Sequence, residues 1–480
     1  MSKKTVLETA KEFRYQELAV KIGKYIQQNR LKGGDKIPSV RQISKDFNVS
    51  IATVLMAYDL LIDRGVIISR QRYGYFVNET IKKILEPGIS DYQMLPANVS
   101  MNEMASKMMI NAKKFALANF SILSPSPEML PINQLNKCIN KALAAPGNNA
   151  YDYPLIEGHD QLTWQITKST IHWHNTLKND EVIVTNGALE AINLCLSALT
   201  VPGDTVVVES PTYAGLLQAI ENHRLKVLEI PCSPETGIDL TLLENSFKSQ
   251  KITACILQPT LNNPLGCSMP DTHKKRLADL VSQYQIPVIE DDTLGELLFD
   301  QEPHQPLKAF DKEGYVLYCN SFSKTLAPGF RIGWVSGGQY HHLLRRHKYG
   351  TNIASSAVMQ DALSIYLATG KYRSHLNKLK IELQKNVFLY LNSIHKHFPA
   401  SIQIAKVRGG LSLWVKLPDN IDAMELQRIA LEDKIGICPG KIFSNNNYYN
   451  NYIRINFGPV WSKRIDQHLK VLGSLIKASS

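Results

Sequence analysis

The chain has 480 residues, 44% of them apolar, and a formal net charge of +11. That length exceeds what one hydrophobic core serves and predicts two or three domains, and the apolar content is that of packed globular protein. The longest apolar runs, such as "AINLCLSALTV", are too short to cross a bilayer, and the N-terminal "MSKKTVLETAKEF" is charged rather than signal-like. Seven cysteines are scattered without a CxxC pair, which argues for reduced thiols and a cytoplasmic address and against a zinc site, so no metal is expected.

The charge is uneven. Residues 1–80 carry 14 Lys/Arg against 8 Asp/Glu, so +6 of the +11 lies in the first sixth of the chain. A basic segment of this size favours a polyanionic partner. Its pattern is specific. "YQELAVKIGKYIQQN" sets Leu18, Ile22 and Ile26 on one helical face, and "GGDKIP" breaks that helix. "SVRQISKDF" predicts a short second helix with Ser39 as N-cap and Val40, Ile43 and Phe47 inward. "NVS" is a turn, "IATVLMAYDLLIDRG" a third helix stopped by Gly65, and "VIISRQRYGYFV" two strands around Gly74. Two short helices joined by a tight turn and followed by a hairpin make a winged helix-turn-helix.

The stretch "GDKIPSVRQISKDFNVSIATVLMAYDLLIDRGVIISRQRYGYFV" resembles the GntR family of bacterial repressors over about residues 13–78. The resemblance implies a double-stranded DNA operator as partner. Arg41, after "PS", would contact DNA. Ser50, Ala52 and Thr53 would open the helix that enters the major groove, and Arg72 and Tyr73 would lie on the wing. Ile51 stands where the family commonly has Arg, and it cannot pair bidentately with guanine.

Residues 79–116 mix Pro, Gly, Ser and Asn without a strong strand pattern. They predict a linker between a head at 1–78 and a large domain at 117–480, with a helix from Met101 to about Ala116.

In the large domain, "EVIVTNG", "TVVVES", "KVLEIP", "ACILQP", "PVIEDD" and "VLYCNS" are short apolar runs, each ending in a turn residue and followed by an amphipathic stretch. That alternation predicts an α/β sheet of mostly parallel strands, whose ligands bind at the carboxyl ends. Those ends supply Asn186 and Gly187 before a helix, Tyr213 in "SPTYAG", Asn263 in "LNNPLG", the pair Asp291 and Asp292, and "SFSKTLAPGFR". Each alone is most often a turn, cap or core residue. Together they supply an amine, a carboxylate, an amide, an aromatic ring and a phosphate cradle, which is the set pyridoxal 5'-phosphate requires. The aldehyde needs a lysine, Lys324. The pyridine nitrogen needs a carboxylate, the ring face an aromatic, and the phosphate needs helix-end amides, the Ser321 hydroxyl and the Arg331 fork.

Over residues 117–480 this order resembles the fold type I aminotransferases, and the fusion of both parts resembles the MocR family of regulators. By that likeness Asp291 pairs with the pyridine nitrogen and Asn263 with the ring hydroxyl. Gly187, Ala188 and Leu189 form the phosphate turn, and Tyr213 stacks on the ring. Tyr153 reaches the neighbouring subunit's phosphate in a homodimer, and Arg454 holds a substrate carboxylate. The family's ring-hydroxyl tyrosine is missing: Thr293 and Leu294 stand two and three residues after Asp291. Thr293 is expected to supply part of its donation and Leu294 none, so transaminase turnover is expected to be weak. The leading expectation is a transcription regulator that senses pyridoxal phosphate, or an amine or amino acid reacting with it. The rival is an active aminotransferase with a vestigial DNA-binding head. A carrier of pyridoxal phosphate has no feature of its own.

Overall fold

In this computed structural model, residues 15, 17–26, 28–29, 31–63, 66–70, 73–78, 94–100, 110, 113–144, 151–300, 303–446 and 448–479 are described. The winged helix-turn-helix is present. Helix α1 (17–26) buries Leu18, Ile22 and Ile26 against Ile43, Val54, Ala57, Tyr58 and Ile67. Helix α2 (Val40–Asp46) begins at Ser39, whose hydroxyl accepts from the Gln42 N–H at 3.2 Å. Helix α3 (Ile51–Asp63) follows. Strands β1 (Ile67–Arg70) and β2 (Gly74–Val77) pair antiparallel as the wing. Phe47 is not inward as expected. It is the C-cap of α2 and 36% exposed, because the helix ends before its side chain reaches the core. Gly65 lies outside the described residues.

Part of the stretch read as linker belongs to the large domain. Strand β3 (Ala97–Asn98) pairs with the edge of the main sheet, Met94 packs on its core and Val99 is buried in it. Of the helix expected over 101–116, residues 110 and 113–115 are described and helical.

The main sheet contains β4 (Val182–Thr185), β5 (Thr205–Ser210), β6 (Lys226–Ser233), β7 (Ala254–Leu257), β8 (Val288–Asp291), β9 (Val316–Ser321) and β10 (Gly333–Ser336). From one edge the order is β3-β6-β5-β7-β8-β9-β10-β4. The run β6-β5-β7-β8-β9 is parallel. Strand β10 is antiparallel to both β9 and β4. Two reversals restore the direction, so β4 ends at the same edge as β8 and β9. Strand β4 and the central strands β5, β7 and β8 are buried on both faces, which is why they read as unbroken apolar runs.

Helices α4 (Ala188–Leu199), α5 (Ala214–Asn222), α6 (His341–Thr351), α7 (Tyr372–His397) and α8 (Lys463–Ala478) include those that follow β4 and β5 and those that cover the C-terminal part. There, β11 (Gln403–Ile404), β12 (Ser412–Lys416), β13 (Cys438–Pro439) and β14 (Tyr452–Asn456) form a small antiparallel sheet. It shares a core with α7 and α8 through Leu383, Tyr390, Leu413, Ile453, Leu469 and Leu472. No described helix is long and apolar enough to cross a membrane. All seven cysteines are buried thiols.

Candidate cofactor site and nucleic-acid interface

Sheet register builds the first site. Asp291 ends β8 opposite Cys319 of β9, Ser321 ends β9 opposite Gly333, and Gly333 lies opposite Thr185 at the end of β4. The carboxylate of Asp291, the lysine just past β9 and the turn just past β4 therefore share one edge of the sheet.

The turn is Asn186–Gly187, and Gly187 is the N-cap of α4 with φ +85°. A Cβ on Gly187 would overlap the Arg331 guanidinium, and one on Gly333 would sit 2.8 Å from the Ala188 nitrogen. Only glycines let the turn, the strand and the arginine approach this closely. The first N–H groups of α4, those of Ala188 and Leu189, open toward the turn as a helix-terminal anion cradle. Arg331, itself at φ +55°, donates through Nη2 to the Asn186 carbonyl at 2.9 Å and through Nη1 to the Ser323 hydroxyl at 3.3 Å. The hydroxyl facing the arginine is thus that of Ser323, whereas the buried Ser321 hydroxyl accepts from the Ser323 N–H.

A buried ion pair fixes the cradle from behind. Glu190, in the first turn of α4, accepts from the Asn186 N–H and from Asn352. The fully buried Lys348 ammonium of α6 lies 3.1 Å from the same carboxylate. An acidic residue beside a phosphate turn is unfavourable unless a cation offsets it, and Lys348 does so.

Lys324 is half-buried and donates to the Leu123 carbonyl at 2.6 Å. Burial, then the Arg454 guanidinium, lower its pKa to about 8, with Asp291 opposing and Arg331 assisting. Burial raises the pKa of the Asp291 carboxyl, and the hydrogen bonds from Thr293 and Gln258 hold it down. Gln258 donates to Asp291 Oδ2 at 2.7 Å and accepts the Asn263 N–H at 3.1 Å, linking carboxylate and amide loop. Arg454 on β14 donates through Nη1 to Asn263 Oδ1 at 2.9 Å and through Nη2 to the Ser121 carbonyl. Its guanidinium lies 5.1 Å from the Phe443 ring centre, and its buried Nε has no hydrogen-bond partner. Tyr213, the N-cap of α5, is half-buried. Burial raises its phenol pKa, and the charges of Arg454 and Asp291 act on it.

Of the two adjacent aspartates only Asp291 faces this site. Asp292 points to the far side, accepting from His304 at 2.8 Å and from the Tyr318 hydroxyl at 2.9 Å. One expectation fails here. The Thr293 hydroxyl is spent on Asp291 Oδ1 and not held for a ring oxygen. Leu294 is buried in the cluster with Leu261, Leu297 and Leu298, so it is a core residue. Within this chain, Tyr153 does not join the site: it is 86% exposed at the surface. Nothing in the local sequence singles out Gln258, Glu190 or Lys348. For Ser323, the second serine of "SFSK" is a usable signal.

The second site is on the head. Arg41 is exposed on α2 and Tyr73 is 71% exposed at the wing tip. Ser50 caps α3, accepting the Thr53 N–H at 3.1 Å and meeting its hydroxyl at 2.8 Å, and Ala52 is exposed. Arg72 lies outside the described residues.

A carboxylate, a half-buried amine of lowered pKa, an amide loop and a glycine-led phosphate turn at strand carboxyl ends define a fold type I aminotransferase-like domain, here on a chain headed by a winged helix-turn-helix. Residues 14–77 match the gntR family of bacterial regulatory proteins, and residues 127–471 match aminotransferase class I and II. The chain is 36% identical to the uncharacterized HTH-type transcriptional regulator YdcR of Escherichia coli (strain K12), over 97% of this chain and 99% of that protein. It is 33% identical to YjiR of the same organism, over 96% and 98%. Among solved structures, the α-aminoadipate aminotransferase LysN of Thermus thermophilus, complexed with N-(5'-phosphopyridoxyl)-L-leucine, superposes with a TM-score of 0.73 at 25% identity. That match covers 78% of this chain and 95% of LysN. The kynurenine aminotransferase of Pyrococcus horikoshii gives 0.73 at 27% identity, over 78% and 94%. The chain belongs to the MocR-type family of transcriptional regulators, in which a GntR head is fused to an aminotransferase class I and II domain.

Proposed function

We propose that the aminotransferase-like domain holds pyridoxal 5'-phosphate and that the protein regulates transcription according to the state of that cofactor, or according to an amine or amino acid that reacts with it. The observation that carries this is the union of Lys324, Asp291, Asn263 and the Gly187 turn at one sheet edge, on the same chain as a winged helix. The donor set fits the cofactor. Lys324 is a lysine whose neutral form is within reach near neutral pH, as bonding to an aldehyde needs. Asp291 would hold a proton at the pyridine nitrogen, Tyr213 would cover a ring face, and the Gly187–Leu189 amides, Ser321, Ser323 and Arg331 would take the phosphate. With Oδ1 given to Arg454, Asn263 keeps Nδ2 to donate to a ring hydroxyl. When bound, the cofactor supplies an electron-accepting ring.

Arg454 would hold the carboxylate of an amino acid effector, since its unpartnered Nε is a buried donor awaiting an acceptor. The working unit is a homodimer in which Tyr153 completes the neighbour's phosphate site, and its two heads read two half-sites. The address is cytoplasmic. The test is a gel shift of the full chain on its own upstream DNA, with and without pyridoxal phosphate and candidate amines. A retained band that responds to the cofactor or to an amine supports the reading. A band indifferent to both sinks sensing, and brisk multiple-turnover transamination would favour an enzyme.

A further inference from the structure

The outward face of α3 is aliphatic. Val54, Ala57, Tyr58 and Leu61 are buried, while Ile51, Leu55 and Met56 are 51%, 39% and 49% exposed, with Ala52 beside them. The helix, Ile51–Asp63, contains no Arg, Lys, Asn or Gln, the side chains that read guanine and adenine edges. The polar pair at its start, the capping Ser50 and Thr53, is bonded to itself. Asp59 is exposed one turn past Leu55 and would repel phosphates, which confines any groove contact to the first two turns.

We infer that this face reads thymine methyl groups, so that the half-site it recognises is A·T-rich with thymines beneath Ile51 and Leu55. The inference rests on the DNA-binding reading of the head. The major groove presents one apolar group, the C5-methyl of thymine, and it is the group an aliphatic side chain can discriminate there. Charge complementarity names the occupant. The face sits in a segment of net +6 with exposed cations on neighbouring elements, Arg41 and Lys45 on α2 and Lys36 and Arg70 over the Phe76 ring of the wing, and such a positive surround suits phosphates rather than an apolar protein partner. Arg41 and the wing would set the register, and Ile51, Leu55 and Met56 would set the sequence.

The experiment uses the full-length protein and a randomised duplex library. Recovered half-sites should be rich in thymine. Each thymine is then replaced by deoxyuridine, which removes only the methyl group. At contacted positions affinity should fall about fourfold per methyl. Ile51→Ala and Leu55→Ala, at exposed positions where folding is not at stake, should bind more weakly and lose the uracil effect at their own position, a non-additive pair. Duplexes that bind equally with thymine or uracil, or a guanine-centred consensus, would overturn the inference while leaving DNA binding intact. So would an Ile51→Ala change that alters sedimentation and not affinity, since the face would then be covered by another protein surface. Failure to enrich any duplex would instead remove the DNA-binding reading, and this inference with it.

Discussion

Thr293 gives both its hydroxyl and its backbone N–H to Asp291 Oδ1, the N–H at 3.1 Å, while Gln258 takes Oδ2 at 2.7 Å. These hydrogen bonds favour the ionised carboxylate and oppose the burial that raises its pKa. Thr293→Val keeps the shape and removes the hydroxyl. A hydrogen bond to a charged group is worth roughly 1.5–3 kcal/mol, so Asp291 should protonate more readily and pyridoxal phosphate should bind about tenfold or more weakly. Absorbance titration of the cofactor checks this, and unchanged affinity would mean that Thr293 is incidental. Leu294→Tyr, the change sequence alone suggests for restoring a ring-hydroxyl donor, would instead overpack a core position and cost roughly 1–3 kcal/mol without gaining turnover.

Lys324 should be the lysine that borohydride fixes to the cofactor, and peptide mapping should find the label there and on no other residue. Its pKa of about 8 sets the pH dependence. The folded value lies below the free lysine value of 10.5, so the fold favours the neutral amine. Between pH 8 and 10.5 the unfolded chain holds a proton here that the folded chain has lost, so this group's contribution to stability rises with pH across that window. The rate of covalent capture should rise with pH to a midpoint near 8. At pH 7 that makes the neutral fraction about 300 times that of an unperturbed lysine. A capture midpoint near 10, roughly that of a free lysine, would contradict the burial argument.

The parallel strands are legible because strands buried on both faces, such as Thr205–Ser210 and Ala254–Leu257, read as short unbroken apolar runs. Gly333–Ser336 is not, since four residues after an arginine-bearing turn look like the end of a loop until their antiparallel partners are known. Lys324, Asp291 and Arg331 stand out because they sit at strand ends with distinctive neighbours. Leu294 is easily misjudged, because counting along the chain from Asp291 does not tell which way a side chain turns where the strand stops. The Glu190–Lys348 pair joins positions 158 residues apart, and a solitary lysine in "RRHKYG" has no local mark of burial.

That pair gives a prediction of its own. Lys348→Met leaves Glu190 as an uncompensated carboxylate behind the phosphate turn, at a cost of roughly 3–5 kcal/mol. Chemical denaturation should show the loss, and cofactor affinity should fall with it. Glu190→Gln combined with Lys348→Met removes both charges, so the double variant should be more stable than Lys348→Met alone. If the double variant is the worse of the two, the pair is not acting as a charge couple.

On the head, Arg41→Ala should weaken operator binding by about 1–3 kcal/mol if the guanidinium reads a base, and should lower the salt slope by about one if it meets a phosphate. Filter binding across a salt series separates these. Parent-like binding to operator and to random DNA would make Arg41 a solvated surface charge.

Tyr153 tests the assembly. Like Tyr151 and Leu155, which are 88% and 62% exposed, it faces solvent in this chain. If Tyr153 donates to the phosphate held by the neighbouring subunit, each site takes Lys324 from one chain and Tyr153 from the other. Mixing Lys324→Ala chains with Tyr153→Phe chains then yields heterodimers in which one site carries both defects and the other carries neither. Half of the sites in such heterodimers should bind cofactor with parental affinity, although neither homodimer does. The Tyr153→Phe homodimer should lose the benefit of one charge-assisted hydrogen bond, roughly 1.5–3 kcal/mol or at least tenfold in affinity. If Tyr153 instead served its own chain, every site in the heterodimer would carry one defect and no parental-affinity fraction would appear. Titration of the purified heterodimer decides between the two, and a protein that sediments as a monomer at micromolar concentration while holding cofactor tightly would remove the dimer from the argument altogether.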